Sequence, residues 1–172
     1  MKHVQLYEQF NGSDALNKLA DLPRKGTEDY SEFGEDMSAS TILPTHPVIT
    51  YDEMMYLSMY LNDHPGDYGT FSENVPLAKL YSGQHELFSD KVAEYITQPG
   101  ATNPTVFLYR GDFIMVDGHH RAAAQVLAGN TSILCDVIRY SILRPLMDRF
   151  NQQLYGATEW KKRSAKFGNF IR

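Results

Sequence analysis

Cysteine is nearly absent from this chain: Cys135 is the only one among 172 residues. A lone thiol cannot close an internal disulfide, and it excludes every multi-cysteine zinc site. Its place in the alternating stretch "SILCDVIRY" marks it as a buried strand residue rather than a reactive thiol. Long apolar runs are missing as well. None approaches the ~18 residues that a membrane helix requires, and the opening "MKHVQLYEQF" is too polar and too aromatic for a signal peptide. No membrane partner is expected, and the expected location is cytoplasmic. Acids are missing from residues 160–172, which carry five bases. Residues 1–70 hold twelve acids against four bases, and residues 71–159 nine against seven. The net charge of −5 therefore conceals an acidic front and a basic tail.

With 42% hydrophobic residues the chain can bury one sizeable core. Its pattern divides into a helical and loop N-terminal extension (1–73), a compact strand–helix region (74–156) and a basic aromatic tail (157–172). Two short helical patterns occupy residues 3–22, interrupted at Asn11-Gly12. Residues 23–47 lack periodicity and carry Pro, Gly, Ser and acids, so a long surface loop or partly disordered linker is expected. Thr50 and Glu53 form a capping box for a helix whose stripe includes Met54, Met55 and Leu61, and methionines at that spacing fill core gaps. Pro65 and its glycine neighbours end it.

From residue 74 strands and helices alternate. "VPLAKLY" (75–81) reads as a strand, "SDKVAEYITQ" (89–98) as a helix capped by Ser89, and "TVFLYRGDFIMVDG" as a hairpin turning at Arg110-Gly111-Asp112. A helix from about Arg121 to Ala128 closes at Gly129. A strand follows at 132–140, and then a helix at about 141–155. The expected fold class is α+β: a small mixed sheet with packed helices, plus the helical N-terminal extension.

The most informative stretch is "IMVDGHHRAAAQVLAG", residues 114–129. A strand delivers the chain to Asp117 and Gly118, and glycine permits a tight turn or the close approach of a ligand. His119, His120 and Arg121 then stand at the first turn of a helix, where unpaired N–H groups and the positive dipole end favour an anion. Imidazole donors and a guanidinium fork suit phosphate oxygens, and three alanines let the helix pack closely on the sheet. Two other readings fit the same residues. Asp117, His119 and His120 could ligate a metal, although adjacent histidines in a turn point apart and no third histidine stands at helical spacing. Alternatively Asp117 caps the helix, Arg121 pairs with an acid and the histidines are exposed. The tail "WKKRSAKFGNFIR" mixes Lys161, Lys162, Arg163 and Lys166 with aromatic rings, a composition that suits nucleic acid or a solvated end packed on the body.

"VFLYRGDFIMVDGHHRAAAQVLAG", preceded by "VPLAKLYSGQHELFSDKVAEYI" and followed by the "SILCDVIRY" strand, resembles the ParB/sulfiredoxin superfamily over residues 74–140. That resemblance implies a nucleotide, ATP or CTP with Mg²⁺, whose phosphates sit at Gly118–Arg121 and are reached by Lys91. The superfamily includes nucleotide hydrolases, sulfiredoxins, a free-serine kinase and ParB-like nucleases. Where sulfiredoxins carry their catalytic cysteine this chain has His119, which argues against sulfinic acid reduction. Only about thirty residues follow the last expected strand, too few for the DNA-binding region of a partition protein. The leading expectation is a phosphoryl-transfer enzyme, an NTP hydrolase or small kinase. In it His119, His120, Arg121 and Lys91 neutralise phosphate charge, and Asp117, or Glu86 from the "SGQHELF" loop, serves as the base. A metal-dependent DNA or RNA nuclease that uses His120 and the tail is the second expectation. A non-catalytic nucleic-acid or protein-binding module is the third.

Overall fold

A computed structural model of the chain describes residues 12–47, 61, 69–139, 145, 152 and 156. In chain order the elements are α1 (Gly12–Asp21), β1 (Met37–Ser38), β2 (Phe71–Pro76), β3 (Leu80–Tyr81), β4 (Glu86–Leu87), α2 (Ser89–Thr97), β5 (Thr105–Tyr109), β6 (Asp112–Asp117), α3 (His119–Leu127) and β7 (Ser132–Arg139). The fold is α+β. A five-stranded mixed sheet in the order β2-β7-β5-β6-β3 carries the helices, and β1 pairs with β4 in a separate two-stranded ribbon.

The β5–β6 hairpin builds the centre of the sheet. Arg110 and Gly111 turn it with positive φ values of 50° and 86°, the backbone twist that matches the twist of paired strands. β7 then lies parallel to β5 and β3 parallel to β6. Strands in such central positions are covered on both faces and read as unbroken apolar runs. Phe107, Ile114 and Met115 are accordingly all buried.

The triple alanine of α3 decides how the layers stack. Ala122 packs with the sheet residues Val75, Val106, Met115, Cys135 and Val137. Ala123 and Ala124 pack instead against Ala15 and Leu19 of α1 and Val92 and Ile96 of α2. Methyl-sized side chains on both faces let α3 lie close between the sheet and the other two helices.

Five sequence expectations change. The stretch 75–81 is not one strand: β2 ends at Pro76, Leu77–Lys79 form a 3-10 turn, and β3 lies at the opposite edge of the sheet. Residues 23–47 are not merely a surface loop, because Met37, Ala39 and Leu43 are buried in the core. Their burial comes from single pairings, such as Ala39 N–H to His85 O at 2.7 Å and Ser82 N–H to Pro44 O at 2.7 Å, which leave no periodic pattern. A boundary at residue 73 would fall inside β2, and α1 shares the core cluster of α2 and α3. The α2 helix is not capped by Ser89, which is its first residue. Instead the Asp36 carboxylate accepts from the Ser89 backbone N–H at 2.8 Å and from its hydroxyl. Burial alone would raise the Asp36 pKa, but these bonds and the Arg24 guanidinium hold it below the usual carboxylate value. Finally, α3 begins at His119, two residues before its expected start.

The helical pattern of 3–10, the Thr50-capped helix apart from the buried Leu61, the 141–155 helix and the basic tail lie outside the described residues, except at isolated positions. Among the described residues no helix is long and apolar enough to cross a membrane.

Candidate functional site

The β6–α3 connection is one residue long. Gly118 adopts φ 87° and ψ 24°, the left-handed region. A Cβ there would lie 2.7 Å from the Arg121 Nη2 and 2.8 Å from the Pro104 Cα, so both conformation and space demand glycine. The helical bond from Ala122 N–H to Gly118 O, at 3.0 Å, is the first of α3. The backbone N–H groups of His119, His120 and Arg121 precede it and have no helical acceptor.

The adjacent histidines diverge to brace two points of one segment. Gly83 N–H donates to His119 Nε2 at 3.0 Å, and Phe88 N–H donates to His120 Nε2 at 3.1 Å. A ring nitrogen that accepts a hydrogen bond carries no proton, so both imidazoles are neutral with hydrogen on Nδ1. Burial drives the His119 pKa down to about 3, with His120 adding to the effect. Burial and then Lys91 lower that of His120 to about 4. Neither ring supplies the positive charge expected of it; both fasten the "SGQHELF" loop and the start of α2 to the head of α3. His119 is 5% exposed, contrary to the reading in which the histidines face solvent.

Positive charge at the turn comes from two other side chains. Arg121 reaches back one helical turn to Asp117, Nη2 to Oδ2 at 3.1 Å, and its Nη1 donates to the Thr102 hydroxyl. The pairing with an acid that one sequence reading anticipated is therefore present. Its Nε is buried without a hydrogen-bond partner among the described residues. Lys91 arrives from α2, with its Nζ 4.8 Å from the Phe88 ring centroid. Phe88 in turn stacks on His120 at 5.9 Å and 26°. A chain of contacts thus runs from the turn through His120 and Phe88 to Lys91.

These residues enclose a cleft of about 350 Å³, lined by Gln84, Lys91, Glu94, Tyr95 and Asp117–Arg121. Lys91 meets the turn although 26 residues separate it from Gly118 in sequence. Glu86 does not line it. That side chain pairs with Lys25 and faces another recess, so its expected role as a base at the turn is corrected. Three lining residues, Gln84, Glu94 and Tyr95, escaped the sequence reading. The last two stand three and four positions after Lys91 on α2, so helical spacing could have placed them on its face.

Among the described residues no group of three or more His, Cys, Asp or Glu side chains is placed to hold a metal ion. Nε2 of both histidines already accepts a backbone hydrogen bond. Comparison with protein-family models, with curated proteins and with solved structures found no match to this chain.

Proposed function

We propose that the chain binds a nucleotide by its phosphates at the Gly118–Arg121 turn and acts as a phosphoryl-transfer enzyme, an NTP hydrolase or small kinase. One observation carries the reading: Lys91, Arg121 and the Gly118–Arg121 turn line one cleft, and the first N–H groups of α3 have no helical acceptor there. The resemblance of residues 74–140 to the ParB/sulfiredoxin superfamily points to the same ligand.

The roles follow from the charges. Lys91 and Arg121 face the phosphates, while His119 and His120 position the walls. Asp117, whose side chain is 76% exposed, stands at the turn beside Arg121. Glu94 lines the opposite wall on α2 and is a second carboxylate for general base catalysis. Mg²⁺ fits a site of this kind, since it is held through one or two carboxylates and phosphate oxygens rather than by an all-protein cage. Asp117 and Glu94 would supply those carboxylates, and the ion would offset charge on the transferred group. The nuclease reading is less well supported, because Nε2 of His120 is engaged by Phe88.

Isothermal titration with ATP, CTP, GTP and ADP in Mg²⁺ tests the proposal, with Lys91→Ala and Arg121→Ala alongside. Binding of one nucleotide that both substitutions weaken supports it, and turnover of that nucleotide is then assayed. No binding at millimolar concentration overturns it and turns attention to plasmid nicking.

A further inference from the structure

The loop before β1 carries three acids, Glu28, Asp29 and Glu32, that pair with no cation among the described residues. Residues 26–36, "GTEDYSEFGED", hold five acids and no base. Arg24 and Lys25 just upstream pair with Asp36 and with the distant Glu86. Glu28, Asp29 and Glu32 are exposed. The same loop exposes aromatic rings. The large hydrophobic side chains exposed among the described residues are Tyr30 at 40%, Phe33 at 78% and Leu134 at 45%, so two of the three fall here. Phe33 and Glu32 edge a recess of about 440 Å³ that is completed by Ser31, Glu35 and the 84–86 segment.

An acidic recess edged by the exposed Phe33 ring, on a loop that also exposes Tyr30, complements a segment that is basic and aromatic. The chain contains one. Residues 160–172 carry five bases, no acid, and Trp160, Phe167 and Phe170. We propose that this tail docks in cis on the 26–36 loop, with its lysines and Arg163 over Glu28, Asp29 and Glu32 and an aromatic side chain in the recess beside Phe33. The five bases of the tail are opposite in sign to the three exposed acids of the loop, and aromatic pairs prefer such edge or offset contacts. Length is no obstacle. Twenty residues separate Arg139, the end of β7, from Trp160; with the expected 141–155 helix rising about 1.5 Å per residue and the others extended, they reach roughly 40 Å. That reach exceeds twice the ~16 Å radius of gyration of a domain this size. Gln84 lines both this recess and the phosphate cleft, so a docked tail borders the candidate site without depending on it.

Trp160 is the only tryptophan in the chain and reports on the tail directly. The test is its emission and acrylamide quenching in the full-length protein, in low salt and in high salt, for wild type and for a Glu32→Lys, Phe33→Ser double variant. Both substituted positions are exposed, and circular dichroism checks that the fold is retained. Docking predicts a protected, blue-shifted tryptophan in wild type at low salt. Its emission moves to the red and its quenching rises in the variant and, because surface charge is screened, in high salt. Identical emission and quenching in wild type and variant overturn the proposal. So does quenching by added single-stranded DNA with the same midpoint in both proteins, which would leave the tail free for nucleic acid. Carbodiimide cross-linking of mixed isotope-labelled and unlabelled protein distinguishes cis from trans. Links from Lys161 or Lys162 to Glu32 within one isotope population support cis docking, and mixed-isotope links overturn it.

Discussion

His120 accepts a hydrogen bond from the backbone of Phe88 while its ring stacks on the same residue's side chain, at 3.1 Å and 5.9 Å respectively. One imidazole thereby sets both the start of α2 and the platform beneath Lys91. The histidine pair, which as a sequence suggests charge donors, works in the fold as a brace.

The brace makes stability depend on pH. In the unfolded chain each imidazole takes up a proton near pH 6.5, whereas in the fold His119 and His120 resist protonation down to about 3 and about 4. The unfolded state therefore binds more protons between those limits, and stability falls as pH is lowered from about 6.5 toward 3. The loss is on the order of a few kcal/mol. His119→Gln keeps an acceptor for Gly83 without a titrating ring and flattens the profile. Urea midpoints measured across that pH range check it, and equal slopes for wild type and variant would refute it.

Lys91→Ala separates binding from folding. Lys91 is exposed on α2, so its removal leaves stability within about 0.5 kcal/mol. Loss of a charge-assisted contact worth about 1.5–3 kcal/mol weakens nucleotide binding roughly ten- to a hundredfold. Thermal melts and calorimetric titration of the same preparations supply both numbers.

Asp117→Asn and Glu94→Gln identify the base. Removal of a general base lowers turnover by about 10²–10⁴ while nucleotide affinity persists. The carboxylate that performs this role shows the loss and the other does not. Loss of affinity together with rate would instead place that residue among the groups that hold Mg²⁺.

Gly118→Ala acts on both levels. An alanine in the left-handed region costs about 1–2 kcal/mol, and its methyl would press on Arg121 Nη2 and on the Pro104 backbone. Lower melting temperature and lost nucleotide binding are expected together. A variant that melts like wild type would show that the turn relaxes freely.

Asp36→Ala removes the α2 cap. The cost is about 0.5–2 kcal/mol, read as a lower urea midpoint with an unchanged slope. The effect is unusual in that the cap lies 53 residues before the helix it serves.

By itself the sequence determined the elements whose signals are local. The Arg110-Gly111 hairpin, the strand–glycine–helix turn at 117–121, the small-residue face of α3 and the buried Cys135 strand are all written in neighbouring residues, because backbone conformation and period act over a few positions. Two of the changed expectations share one reason. The core role of Met37, Ala39 and Leu43 and the capping of α2 by Asp36 rest on partners far along the chain, which no window contains. The site divides the same way. The turn was legible as a strand–glycine–helix junction, and the resemblance brought Lys91 to it, but only the fold decided that Glu94 lines the same cleft, that Glu86 leaves it for Lys25, and that both histidines spend their lone pairs on backbone N–H groups. Protonation follows burial and hydrogen-bond partners, and those exist only once distant segments have packed together.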